Sequence, residues 1–440
     1  MMKENLHKTI WNLTWPNVLS NITVPLLGMV DIAIAGALGG DIAIGAVSVG
    51  SSIFNFLYMN CAFLRMGTTG LTAQAYGAKN IREAKNVLFR AISVALIVAF
   101  VILLFRHKAT ILAATIMGGS DNIMSIVIEY TNVRLWALPA ALMLFALNGW
   151  FVGMQDAQTP FILSIVTNLT NIVASIILTF NFNYGIVGIA GGTVVAQYVS
   201  VAMAITIYHL KHRRTESACI DEIFNSSAIL KFFSLNGNVL LRSFFITLTY
   251  TMFTQISANI SDTVLATNTL LMQLFTLYSY IFDGCTFAAE SLSGRFYGQQ
   301  SGHLFRKLCR YLFIWGGLIS ISYVIIYSLF GDSLLTLFSP SANVMLCVKQ
   351  NMIYIVIIPL LAYMPFMIDG ILFGITHIKP LLLSAICSFT MFFIVQKIAV
   401  PIYANDGLWM AFLIFTATRG IVLMPIMRNI YRQPIYKLCH

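Results

Sequence analysis

Charge is what this chain has least of. Asp and Glu supply 16 of its 440 residues and Lys and Arg 26, 10% in all, where a water-soluble domain carries about 25%. A chain this poor in charge cannot coat a water-facing surface around an ordinary core. The seven cysteines (61, 219, 285, 309, 347, 387 and 439) form no CxxC pair and fall mostly inside apolar runs, so they read as small apolar fillers and argue against a disulfide or metal framework. The seven histidines (7, 107, 209, 212, 303, 377 and 440) lie in loops or near the ends of apolar runs. There is no Gly-rich phosphate loop, metal cluster or Ser-His-Asp order, which argues against an enzyme or an ATP-driven pump and leaves no cofactor to expect.

In place of charge there is hydrophobicity: 58% of the residues are apolar and the mean hydropathy is +0.83. Runs of roughly 20 apolar residues are long enough to cross a bilayer. Twelve can be drawn, at 13-38, 44-74, 89-116, 123-150, 160-181, 186-210, 229-258, 264-294, 308-331, 344-374, 378-402 and 407-428. The first carries Asn17, Asn21 and Asp31 with no small-residue cleavage site after a short core, so it is not expected to be a signal peptide. An all-α, multi-pass protein of a cell membrane follows, with both termini on one side because twelve is even. Lys3 and Lys8, then Lys79, Arg82, Lys85 and Arg90, then Lys211, Arg213, Arg214 and Lys231, then Arg306, Lys307 and Arg310, then Arg428, Arg432 and Lys437 flank alternate loops. Those loops, and both termini, are expected to be cytoplasmic. The net charge of +10 is then a topology signal, and no nucleic-acid partner is expected.

The longest stretch of soluble character, Lys211 to Asn225, divides the chain into a lobe at 1-210, a linker at 211-228 and a lobe at 229-440. An offset of 220 to 222 residues places Asn17 on Asn238, Asp41 on Asp262, Tyr76-Gly77 on Tyr297-Gly298, Pro139 on Pro359, Gly149 and Gly153 on Gly370 and Gly374, and Gly185 on Gly407. Six spans per repeat give both halves the same orientation, related by an axis along the membrane normal with a cleft between them, an architecture that suits alternating access.

Asp31 stands in the middle of the first span. A carboxylate at mid-bilayer costs about 2.5 to 3.5 kcal/mol on insertion scales and marks a functional site or a neutralised pair. The nearest charges along its own helix, Lys8 and Asp41, are too far to pair with it. Pro25 cannot donate to the carbonyl of Asn21, so the helix can bend just before the acid. Asn168, Asn171 and Ser175 share a face of the fifth span, and Thr193 and Gln197 share one of the sixth, offering polar stripes inside the membrane. In the second half Asp283 and Glu290 face one way on span eight, where Arg242 of span seven can neutralise one of them, leaving the other and Asp369 as cleft acids. Arg65, Arg134 and Arg419 read as snorkelling or pairing near helix ends. Phe54, Phe56, Tyr58, Phe275, Tyr278 and Phe282 lie on the equivalent spans two and eight. With 20 methionines they offer walls that adapt to varied apolar ligands.

The run Phe63-Leu64-Arg65-Met66-Gly67-Thr68-Thr69-Gly70-Leu71-Thr72-Ala73-Gln74-Ala75-Tyr76-Gly77, with Pro25 and Asp31 before it and Gly149-Trp150-Phe151-Val152-Gly153-Met154-Gln155-Asp156 after it, resembles the multidrug and toxic compound extrusion (MATE) transporters, in the branch of the DNA-damage-inducible F protein. The likeness covers the whole chain. It implies twelve helices in two six-helix lobes opening as a V, and a monomer exporting amphipathic or cationic organic compounds in exchange for an ion. It also implies a cation-binding carboxylate at Asp31, supported by groups that match Asn148, Asn171 and Thr193. The family pattern often has an acid where this chain has Ser175, which favours a proton over sodium as the coupling ion, since a hard cation prefers anionic oxygens. Sodium coupling, and a lipid or glycolipid flippase of related architecture, stand as the alternatives.

Overall fold

In a computed structural model, which describes residues 5–117, 121–212, 220–336 and 342–432, the described residues are helical and form no strand. Arg213, Arg214, Lys3 and Lys437, used above to place loops, lie outside them. Among the described residues, eleven helices are long and apolar enough to cross a membrane: α1 (Leu6–Leu38), α2 (Ile42–Gly77), α3 (Ile81–Leu104), α4 (Ile123–Gly153), α5 (Gln158–Asn181), α6 (Ile186–His212), α7 (Ser226–Ile260), α8 (Asp262–Gly298), α9 (Gly302–Gly331), α10 (Asn343–Gly374) and α11 (Lys379–Arg432). The last has 54 residues, enough for two crossings, and is broken at Ala404 (φ 47°, ψ −118°), between the eleventh and twelfth spans read from the sequence. Asn405 holds the break: its amide donates to Asn351 Oδ1 (3.0 Å) and its own Oδ1 accepts from Asn268 (2.7 Å). These bonds offset the strain of a left-handed alanine.

The internal repeat is written in the backbone as well as in the sequence. The non-glycine residues with positive φ are Lys79, Gln155, Asn183, Gln300, Thr376 and Ala404, and they fall into three pairs 221 residues apart. The first four equivalent positions close helices in the same way. The amides of Asn80 and Ser301 bond back to the carbonyls of Ala75 and Phe296, and those of Asp156 and His377 to Phe151 and Leu372. That is the six-to-one bond of a left-handed helix cap. Helix packing repeats too. Gly149 sits against the backbone of Arg65, and its equivalent Gly370 against that of Thr286, where a Cβ would lie 2.7 Å from the carbonyl. Gly153, where a Cβ would lie 2.8 Å from the carbonyl of Thr69, corresponds to Gly374, which sits against the backbone of Glu290. Glycine at these points lets α4 close on α2, and α10 on α8, to backbone contact, the small-residue packing that membrane helices use where lipid supplies no hydrophobic drive.

Two compact units result, Leu19–Phe233 and Met1–Val18 with Ser234–His440. The start of α1 goes with the second unit. The cause is local. Val18 packs on Gly284, where a Cβ would come within 2.8 Å of the Val18 nitrogen. His7 stacks on Tyr311 at 4.1 Å and accepts a hydrogen bond from Trp315 Nε1 at 3.2 Å. In the first unit a short turn of helix, Ile220–Ile223, is held on α3. The buried Arg90 donates to the carbonyls of Ile223 (2.9 Å) and Glu222 (3.0 Å), and Asn86 to Glu222 Oε2 (2.7 Å).

Candidate functional site

Asp31 is only 3% exposed. Ile34 and Ala35, a turn further along α1, pack with Ala43 and Val47 of α2, Tyr130 of α4 and Ile189 and Ala190 of α6 in one apolar cluster, with Val30 and Val133 at its edge. Asp31 thus sits inside the first unit, with four helices meeting around its neighbours. Its Oδ1 is buried with no hydrogen-bond partner among the described residues. In a place without water such an atom calls for a proton, a cation or a bound water to complete it.

The polar residues expected around it are there, but they are turned to one another. Asn171, fully buried on α5, donates its amide to Thr193 Oγ1 of α6 at 2.9 Å. Thr193 and Ser175 both donate to the carbonyl of Ile189, each at 3.4 Å. Ser175 fits there because Gly192 faces it: a Cβ on that glycine would lie 2.5 Å from the Ser175 nitrogen. Asn171 Oδ1 and Asn148 Oδ1 are acceptors buried without a partner among the described residues. Like the oxygen of Asp31, each lacks a donor, and such oxygens fit a protonated or cationic species. No group of three or more His, Cys, Asp or Glu residues able to hold a metal ion occurs among the described residues. Near Pro25 the bend point is braced from α5, where Asn168 donates to the carbonyl of Thr23 at 3.4 Å.

The charge that does act on Asp31 comes from elsewhere in the fold. Arg134 of α4, read above as a helix-end residue, exerts its field on Asp31 and on Tyr58. It is held by Ser51 Oγ at 3.0 Å and by the hydroxyl of Tyr130, and its guanidinium lies 4.7 Å from the centre of the Phe54 ring. The sequence carries no signal for this, because nothing along α1 points to α4.

In the second unit the expected pairing is different. Arg242 of α7 binds Asp369 of α10, not Asp283 or Glu290. Arg419 of α11, not near a helix end at all, binds the same Asp369 Oδ2 at 2.6 Å. All three are 7% exposed or less. Asp283, half-buried, adds its field at Arg242, so two guanidiniums are balanced by two carboxylates. Asp369 is consequently held in a buried ion-pair group, and Glu290 is 1% exposed. Tyr278 and Phe282 are buried likewise. Both are fully buried, Tyr278 sharing its hydroxyl with Ser320 Oγ (3.2 Å) and donating to the carbonyl of Pro359 (3.3 Å), and Phe282 standing 5.6 Å from Phe366. Residue spacing put them on one helix face, and that face turns to the core of their own unit. Tyr58 differs. It is half-buried beside Phe54 and Phe145, and its hydroxyl has no partner among the described residues.

A second polar knot closes the end of α4 outside the spans. Lys211 Nζ lies 2.7 Å from Asp156 Oδ2, and Thr159 donates to the same carboxylate from its amide (3.0 Å) and its hydroxyl (2.6 Å). Burial pushes the Asp156 carboxyl up, but the bonds from Lys211 and Thr159 outweigh it and hold it below the usual carboxylate range. A depressed carboxylate stabilises the fold above its unfolded pKa and loses that contribution as the pH falls. Asp156→Asn is therefore expected to cost about 1 kcal/mol near neutral pH. Thermal unfolding in detergent should show the gap to wild type closing below about pH 4.

The MatE family model matches residues 16–177 and 239–398, one stretch in each half. The chain belongs to the MATE family. It is 32% identical to the DNA damage-inducible protein F of Escherichia coli strain K12 over 97% of this chain and 93% of that one. It is 20% identical to the probable multidrug resistance protein NorM of Buchnera aphidicola over 96% and 98%. A MATE solved in a bent conformation has the same fold at 20% identity, with a TM-score of 0.90 over 99% of this chain and 97% of that one. A MATE multidrug resistance transporter solved facing outward has a TM-score of 0.86 at 21% identity over 96% of each chain. This MATE chain is thus a membrane transporter of a multidrug efflux family and not an enzyme.

Proposed function

We propose that the protein is a proton-coupled exporter of amphipathic or cationic organic compounds, with Asp31 as the group that takes up the proton. The observation that carries this reading is the Asp31 oxygen, buried in the first unit with no hydrogen-bond partner there. A buried acid with an unpartnered oxygen needs only a proton to be completed. A sodium ion needs several oxygens at 2.3–2.6 Å, as hard cations do, preferably anionic, and α5 brings the neutral Ser175, already bonded to Ile189. The members named for multidrug resistance support an organic substrate. MATE structures solved in bent and straight conformations support a transporter with two states, and Pro25, which cannot donate to the carbonyl of Asn21, is where α1 can bend between them. In this reading the protein works as a monomer in the cell membrane with both termini cytoplasmic, and needs no cofactor.

Vesicles containing the purified protein provide the test. A fluorescent organic cation should be exchanged against an imposed pH gradient in sodium-free buffer, and a sodium gradient alone should drive little. Transport that required sodium and ignored the pH gradient would overturn the proposal.

A further inference from the structure

Arg134 and Asp31 are opposite charges within one unit, and each keeps a polar atom unmatched. Arg134 Nε is buried without a partner among the described residues, like Asp31 Oδ1. Their neighbours are packed together: Val30, Ile34 and Ala35 beside the acid share an apolar cluster with Tyr130 and Val133 beside the base. The base is also fixed in place. Tyr130 is fully buried and packs flat on the one glycine of α2 where a Cβ would enter its ring, Gly50. Its hydroxyl and Ser51 Oγ grip one guanidinium nitrogen, while Phe54 covers the guanidinium face. An arginine tied by two hydroxyls and a ring, inside an apolar cluster, does not snorkel.

We propose that Arg134 is the resident counter-charge of Asp31, a positioning residue that balances the ionised acid across the lobe and is left unbalanced when the acid takes a proton. Because it touches neither the proton nor the substrate, its effect is electrostatic: it sets the pH at which Asp31 exchanges its proton and competes with an organic cation for the same negative charge. The groups facing Asp31 leave no other cation in that role. Arg134 is the charge that acts on Asp31 itself; Tyr58 of α2 and Tyr130 of α4 stand about Arg134, with Cys61 beyond Tyr58, and the polar residues of α5 and α6 in this unit, Asn171, Ser175 and Thr193, carry no charge. Tyr58, whose hydroxyl has no partner among the described residues, stands on the Arg134 side. An opposite charge that acts on a carboxylate from within about 4 to 6 Å shifts its proton exchange by roughly one to three pH units.

The inference rests on the proposal that Asp31 takes up the proton, and the experiment separates the two. The carboxyl infrared band that Asp31→Asn abolishes is titrated in detergent-solubilised protein, alongside export by vesicles. Arg134→Gln should move the midpoint of that band upward by about one pH unit or more, and shift the pH at which export is half-maximal in the same direction. Arg134→Lys, which keeps the charge, should move both by less than half as much. If Arg134→Gln does not fold, Tyr130→Phe, which loosens the arginine without removing it, should still move the midpoint by a measurable fraction of a unit. A midpoint unmoved in Arg134→Gln, or equal displacement by Lys and Gln, overturns the inference while leaving Asp31 in its role. A carboxyl band and a pH profile that survive Asp31→Asn overturn both.

Discussion

Asp31→Asn should leave a folded, membrane-inserted protein that no longer couples export to a pH gradient. The side chain keeps its shape and loses only the ability to ionise, so the cluster of Ile34, Ala35, Tyr130 and Ile189 around it has no reason to open. A neutral group there removes the cost of holding a desolvated charge, and with it the energy difference that a proton would otherwise supply. Each pH unit of proton gradient is worth about 1.4 kcal/mol to a carrier that can use it. A carrier locked in the protonated form can use none, and proton-driven export should fall by roughly tenfold or more. Thermal stability in detergent should fall only modestly, since the cost of holding a desolvated carboxylate is gone while Arg134, though left without its counter-charge, keeps its bonds to Ser51 and Tyr130. Wild-type export with an unchanged pH profile in this variant would remove Asp31 from the mechanism. Asp283 would then be the acid to test, because Asp369 is occupied by its two arginines.

Asp369→Ala is expected to do a different kind of damage. It strands Arg242 and Arg419, both nearly buried, each of which donates to the single Oδ2 atom of that aspartate. Removing one partner of a buried ion pair costs about 3 to 5 kcal/mol, whereas replacing the whole set with apolar residues of similar volume is often tolerated. Little folded protein should therefore be recovered from Asp369→Ala. The triple change Arg242→Met, Asp369→Leu, Arg419→Met should restore much of the yield, as measured by detergent-stable monodisperse protein. Normal yield and export from Asp369→Ala would show that the three charges are not the structural unit their bonds describe.

Much of the architecture was legible in the residues. Scarce charge and long apolar runs specify a polytopic helical protein by arithmetic on bilayer thickness. An offset near 221 survives in Gly, Pro and Asn because these residues answer to backbone geometry, which the repeat conserves at Gly153 and Gly374. Asp31, Asn171, Ser175 and Thr193 do lie in one unit, because polar atoms inside a membrane are too costly to place without partners. What could not be read were partnerships between helices distant in sequence. The tie of Arg134 to Ser51 and Tyr130 and that of Asp369 to Arg242 and Arg419 have no sequence signal, because a charge in a sequence shows its position along a helix and not the helix that faces it. The aromatic face of Tyr278 and Phe282 was found correctly as a face, but periodicity cannot tell a core-facing stripe from one that faces a cleft.

The membership of the first eighteen residues in the second unit bears on the order in which this protein is made. Val18 and His7 leave the ribosome early, but the Gly284 and Tyr311 they pack on follow roughly 270 to 300 residues later, tens of seconds at common translation speeds. During that interval the start of α1 has lipid or an insertion chaperone for a neighbour in place of its final partner. The first half of the chain can complete its own helix contacts without it, while the second half cannot. A split version cut in the linker should therefore reassemble best when the first eighteen residues are free to reach the later fragment. An amino-terminal fusion that ties them down should slow maturation of the carboxyl-terminal unit more than that of the unit to which it is nearer in sequence.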